Sequence, residues 1–250
     1  MTRSHTPAPG PVFLTAEWRW LTMLNYEIDP EVLRPYIPTG TQLDDWQGRH
    51  YVSVVGFLFL DTRVWGFAIP FHRNFEEVNL RFYVRRQAAE GWRRGVVFIR
   101  ELAPRFAICL TARVLYNEQY LTVPMGHQLA VADGAADAVR GVSYWWRYGG
   151  REDRISVNVD GDARAVDEGS HEAFITGHYW GYSRLRNGAT LEYRVEHRPW
   201  RIWKATEARL DCDVKELYGR EFAECLSGPP ASAFLLDGSP VTVFKGTPPC

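Results

Sequence analysis

Apolar residues along this chain either alternate with polar ones or gather in short runs rich in Val, Ile, Phe, Tyr and Trp, separated by Gly, Pro, Asp and Asn. Alternation with a period of two is the signature of a strand, whose successive side chains point to opposite faces. The pattern predicts strands over residues 13–27, 42–60, 75–86, 96–101, 142–148, 155–159, 179–185, 190–197, 202–210 and 241–245. Helical spacing is rarer. Asp29-Pro30-Glu31 ahead of Val32, Leu33 and Tyr36 predicts a short N-capped helix that stops before Pro38. Residues 104–116 predict a longer one, with Pro104 at its start and Phe106, Ala107, Leu110 and Val114 on one face. A third begins after Ser170, ahead of Phe174 and Ile175. The Ala, Asp and Gly of residues 133–140 predict a surface excursion. No repeat or long linker divides the chain. The expected organisation is a flexible N-terminal tail over residues 1–11 and a single domain over 12–250, α+β and mainly antiparallel.

Composition removes several partners. The 29 basic residues against 30 acidic leave a formal charge of −1, so no global field draws in nucleic acid or anionic lipid. The longest apolar runs, such as 52–60, fall far short of the ~18 residues of a spanning helix. No membrane or nucleic-acid partner is therefore expected. Residues 1–10 lack the apolar core of a secretory signal, and Cys109, Cys212, Cys225 and Cys250 are scattered. Free thiols in a reducing cytoplasm are the expectation. No paired Cys or His spacing marks a metal site, although His72, His127, His178 and His197 could still meet in space, and no glycine-rich phosphate loop occurs. Neither a metal nor a cofactor is therefore expected. Lys204, Lys215 and Lys245 are the only lysines, which limits where amine chemistry could occur.

Residues 75–86 carry the most information. Alternation sets Val78, Leu80, Phe82 and Val84 on one face and Glu77, Asn79, Arg81 and Tyr83 on the other. Roots of i and i+2 residues stand about 6.6 Å apart, so a carboxylate, an amide and a guanidinium could converge on one small polar ligand. The same row could equally be the wet face of an antiparallel sheet. The continuous apolar run at 52–60 implies cover on both faces of a neighbouring strand, which admits an enclosed cavity. Tyr116-Asn117-Glu118-Gln119-Tyr120, followed by Val123-Pro124-Met125, and the aromatic run His178-Tyr179-Trp180-Gly181-Tyr182 are further candidates for a ligand wall, each also explicable by capping or packing.

Three of these segments, 74–84, 116–125 and 178–182, resemble the YqjF-like bacterial family of unknown function, over residues from about Phe13 to Lys245. That family is similar to the acetoacetate-decarboxylase-like superfamily. The resemblance implies a curved β-barrel or cone with a few peripheral helices and a small-molecule cavity, with Glu77 matching a cavity glutamate. It also exposes departures. The decarboxylases use a Schiff-base lysine after a Gly-x-Pro-like turn, and this chain has Pro124-Met125-Gly126 there. Gly177 stands where relatives carry a glutamate. The resulting expectation is a small-molecule-binding protein with Glu77, Asn79 and Arg81 as catalytic residues and Tyr83, Tyr116, Tyr120, Met125, His178 and Trp180 around the ligand. Its chemistry would be acid/base catalysis of an isomerase, dehydratase or cyclase type, lyase-like but without the lysine, on a small carbonyl or carboxylate compound. The alternative is a non-catalytic binding or sensing module using the same cavity, and homo-oligomerisation stays open.

Overall fold

Long strands account for most of the chain, because Val, Ile and aromatic residues alternate over long stretches. The computed structural model describes residues 10–105, 117, 119–131 and 139–249. The strands are β1 (Val12–Ile28), β2 (Gln42–Leu43), β3 (His50–Val64), β4 (Phe75–Ala88), β5 (Gly91–Ala103), β6 (Tyr120–Thr122), β7 (Met125–Val131), β8 (Val139–Tyr148), β9 (Arg151–Val159), β10 (Arg164–Ala165), β11 (Trp180–Arg184), β12 (Thr190–His197), β13 (Arg201–Asp211) and β14 (Ser232–Phe244). Short α-helices are α1 (Pro30–Leu33), α2 (His171–Thr176), α3 (Val214–Leu217) and α4 (Ala223–Ser227).

Pairing runs β1-β3-β4-β5-β11-β12-β14, and β14 pairs back onto β1, so the path closes into a ring. Among the described residues all strand pairings are antiparallel except β5 with β11 and β5 with β6. The mainly antiparallel α+β expectation holds. Strand β13 leaves the ring: Ile202, Trp203 and Lys204 pair with β14, and from Ala205 onward the strand pairs with β9, extending into β8 and β7.

Two cores result. The outer one lies between the ring and the β7-β8-β9-β13 sheet with α3 and α4, and joins Val78, Leu80, Phe82 and Val84 to Tyr144, Trp146, Ile155 and Leu217. The inner one fills much of the ring with Leu21, Met23, Val55, Phe57, Phe59 and Phe75. Strand β3 faces both cores, which is why residues 51–59 are apolar almost without interruption and buried throughout. Ser170 accepts a hydrogen bond from the Ala173 N–H at 3.1 Å and starts α2, whose Phe174 and Ile175 enter the inner core.

Three expectations are corrected. The strand expected at 42–60 is two strands, because Gln47 and Gly48 turn the chain at φ 53° and 79° between the Trp46 and Arg49 bridge. The last strand starts at Ser232 and not at 241; Gly238 and Pro240 disguise it, although a Cβ at Gly238 would come within 1.9 Å of the Trp18 carbonyl oxygen. Strands β6 and β7 were not expected. Most of the helix expected at 104–116, most of the excursion at 133–140 and most of the N-terminal tail lie outside the described residues. Within the described part of that tail, the Pro11 carbonyl accepts from the Lys245 N–H at 2.8 Å. Cys212 and Cys225 are free thiols. No helix among the described residues is long and apolar enough to cross a membrane.

Candidate active site

Strand β4 has no irregularity against β3, so its alternation carries through without a break. Glu77, Asn79 and Arg81 therefore point into the ring, on the wall of a cavity of about 120 Å³. That is of the same order as the ~150 Å³ apolar cavity that holds benzene in an engineered protein, so it suits a ligand of a few heavy atoms. Most of the wall is apolar, supplied by Trp18, Leu21, Val55, Phe57, Phe59, Val96, Phe98 and Trp200. The row is not a wet outer face: Glu77 is 3% and Asn79 2% exposed.

The carboxylate is held from two sides. Tyr120 donates its hydroxyl to Glu77 Oε2 at 2.7 Å, and Asn79 Nδ2 donates to Oε1 at 3.0 Å. Tyr120 arrives on β6, which runs parallel to β5 with Glu101 opposite Tyr120. Burial raises the Glu77 pKa to about 7, while Tyr120, Asn79 and the positive Arg81 oppose the rise. Among the described residues the guanidinium of Arg81 meets weak partners, the Met23 sulfur at 3.8 Å and the Tyr83 ring at 5.7 Å. Its Nε is buried without a hydrogen-bond partner among the described residues. Trp18 Nε1, Asn79 Oδ1 and His178 Nδ1, buried on this wall, share that condition. Such atoms gather around one small cavity, where buried polar atoms ordinarily find partners.

Of the other expected residues, Tyr120, His178 and Trp180 line the cavity. Tyr83 does not. Its hydroxyl lies 2.6 Å from Ser53 Oγ, which donates to Asn25 Oδ1, and its ring packs 4.6 Å from the His178 imidazole. Met125 opens β7 opposite Trp146 and packs on the outer core, away from the cavity. Tyr116 lies outside the described residues. None of the three lysines lines the cavity. The histidines separate: His72 is bound to the Pro70 carbonyl, His127 to Glu76, and only His178 and His197 reach the wall.

Several wall residues escaped sequence reading. Glu101 is buried opposite Asn79, but a bulge at Ile99 shifts the parity of β5, so period-two counting from Val96 places it on the wrong face. Trp18 is hidden by a similar irregularity at Trp20, where φ is 55°. His197, stacked 3.9 Å from Trp200, lies at a strand end that also reads as ordinary core.

Solved structures share this architecture. The enduracididine biosynthesis enzyme MppR complexed with pyruvate aligns at TM-score 0.68 and 15% identity, over 98% of this chain and 93% of that one. Acetoacetate decarboxylase from Legionella pneumophila aligns at TM-score 0.66 and 13% identity, over 98% and 93%. At such identities the likeness establishes the fold, which is acetoacetate-decarboxylase-like. The uncharacterized protein YqjF of Bacillus subtilis is 23% identical over 198 residues, 79% of this chain and 77% of that protein. Residues 15–240 match the profile of DUF2071, an uncharacterized conserved protein family, and the chain belongs to that family.

Proposed function

We propose that the ring cavity binds a small carboxylate bearing a carbonyl group and catalyses proton transfer on it. Arg81 pairs with the carboxylate, Glu77 moves the proton and Asn79 orients the ligand or stabilises a developing oxyanion. The observation that carries this reading is the Arg81 guanidinium, buried at Nε without a protein acceptor among the described residues, beside a carboxyl poised near neutrality. The pyruvate of the MppR complex and the acetoacetate of the decarboxylases are both oxo acids, which makes them suitable probes. With no lysine on the wall, iminium chemistry has no nucleophile there, so the reactions that fit are enolisations and the steps an enol opens: isomerisation, dehydration or cyclisation.

The test has two arms. Millimolar pyruvate and acetoacetate are screened for thermal stabilisation of the wild-type chain and of Arg81→Met. Exchange of pyruvate methyl protons in D2O is then followed by NMR for the wild type and Glu77→Gln. Stabilisation that is lost in Arg81→Met, with exchange slowed about 10²–10⁴-fold in Glu77→Gln, is expected. Stabilisation without exchange would leave the alternative, a binding or sensing module. Stabilisation by neither probe would overturn the proposal.

A further inference from the structure

His178 and Asp44 come from distant parts of the chain and meet beside the cavity. The Asp44 carboxylate accepts from Arg94 Nε at 2.6 Å, lies 3.5 Å from Arg85 Nη1, and faces His178 Nε2 at 3.2 Å. Burial would push the Asp44 pKa up, but hydrogen bonds from His178 and Arg94 outweigh it and hold the pKa at about 2. A carboxylate can only accept, so the imidazole proton sits on Nε2 and Nδ1 keeps its lone pair. That Nδ1 is buried and has no partner among the described residues, and the imidazole lines the cavity with Glu77 and Arg81. Its plane is fixed by Tyr83 at 4.6 Å and by Phe174 at 5.3 Å, edge to face. Among the described residues the charged and polar groups around it include Asp44 from the turn after β2, Arg94 from β5, and Arg81 and Tyr83 from β4; α2 contributes the Phe174 ring and places Thr176 on the same cavity wall.

We propose that His178 and Glu77 act as an opposed base and acid on one ligand: His178 Nδ1 removes a proton from the carbon beside the ligand carbonyl, and the Glu77 carboxylic acid protonates the carbonyl oxygen. The C–H electron pair becomes the new C=C bond, and the C=O π pair takes up the proton from Glu77. The enol, which keeps the ligand's own carboxylate, an imidazolium and the Glu77 carboxylate result, with no change in total charge. Returning the two protons regenerates the oxo acid. Asp44 is a positioning residue that fixes the tautomer and stabilises the imidazolium. This rests on the oxo-acid reading above and assigns the direction in which each proton moves. The environments agree with the division. Burial, reinforced by Arg94 and Arg81, lowers the His178 pKa to about 4, whereas burial raises that of Glu77 to about 7. Between those values one group holds a proton to give and the other a lone pair to receive it.

The experiment is pyruvate methyl exchange in D2O as a function of pH, with pyruvate-induced thermal stabilisation recorded in parallel. The wild type is expected to show a bell, falling below about pH 4 and above about pH 7. His178→Gln, which keeps a planar polar side chain, should bind pyruvate normally and exchange it at least ~100-fold more slowly. Added imidazole should restore part of the exchange in His178→Ala, which a packing role would not allow. Asp44→Asn should move the acid limb to lower pH, because Asp44 raises the His178 pKa. Undiminished exchange in His178→Gln, together with its loss in Glu77→Gln, would overturn the acid–base division while leaving the oxo-acid reading intact. A wild-type profile without an acid limb does the same even if both His178 variants fail to fold. A wild-type chain that binds neither pyruvate nor acetoacetate overturns both.

Discussion

Replacing Glu77 by Gln should make the protein more stable at alkaline pH, because burial disfavours the ionised carboxylate at this position. Burial holds the Glu77 pKa at about 7, against 4.5 for an ordinary glutamate. Below pH 4.5 the group is protonated in the folded and unfolded chains alike and discriminates between neither. As pH rises from there the unfolded chain ionises first, and stability drains away until the folded-state value is passed. A gap of about 2.5 pH units at ~1.4 kcal/mol each amounts to roughly 3 kcal/mol, complete above about pH 7. Glutamine has nearly the same shape and no charge, so it escapes this loss. For a chain of this size the difference corresponds to roughly 6–12 °C in Tm. His178 titrates in the same range with the opposite sign. Its pKa is lowered from 6.5 to about 4, so stability present above 6.5 is lost as pH falls towards about 4. The two slopes oppose each other in the wild type, and the measurement must be read as a difference between proteins. Urea unfolding followed by tryptophan fluorescence, for wild type and Glu77→Gln between about pH 4.5 and about pH 8, supplies it. A stability difference that stays constant over that interval would refute the assignment of a buried, pH-sensitive carboxyl at position 77.

Arg81→Met should raise the ligand-free Tm, or leave it unchanged, because a guanidinium with few partners is exchanged for a side chain suited to the apolar wall; a large loss of Tm in differential scanning fluorimetry would contradict this. Glu192 accepts from Arg86 at 2.8 Å and also pairs with Arg93, and all three side chains are largely buried. Glu192→Ala should therefore destabilise by about 3–5 kcal/mol in urea unfolding, since the buried Arg86 loses its paired carboxylate while Arg93 keeps Glu90. Gly95 lies opposite Trp180 in the parallel β5–β11 pairing, and a Cβ there would stand 2.6 Å from the Trp180 carbonyl oxygen. Gly95→Ala should cost about 1–3 kcal/mol, whereas Gly228→Ala, with nothing within 4 Å of its Cβ, should stay within ~0.5 kcal/mol of the wild type.

What could be read from the chain depended on whether local pattern and tertiary structure agreed. Strand β4 was legible because it keeps regular register with β3 while its two faces differ in polarity, so Glu77, Asn79 and Arg81 were already grouped. The doubly apolar run of β3 likewise announced cover on both sides. Sequence periodicity failed where a bulge changed parity, as at Ile99, and so concealed Glu101. It failed again where strand-breaking residues sit inside a real strand, as with Gly238 and Pro240 in β14. The Asp44–His178 contact joins residues 134 positions apart, and neither lies in a local motif that signals the other. Whether the polar row of β4 faced water or a cavity depended on the ring's closing, which no stretch of β4 encodes.

That closure has a consequence for biosynthesis. The seam between β1 and β14 joins Asn25 to Ser232, 207 residues later, through a side-chain hydrogen bond of 3.0 Å. During translation the first strand must wait, with one edge unzipped, until its partner has left the ribosome. Contacts of such sequence separation form slowly, and an exposed edge invites pairing with other nascent chains. The pocket therefore comes into being only in the final moments of assembly, and newly made protein should depend more on chaperones for this seam than for the local hairpins that precede it.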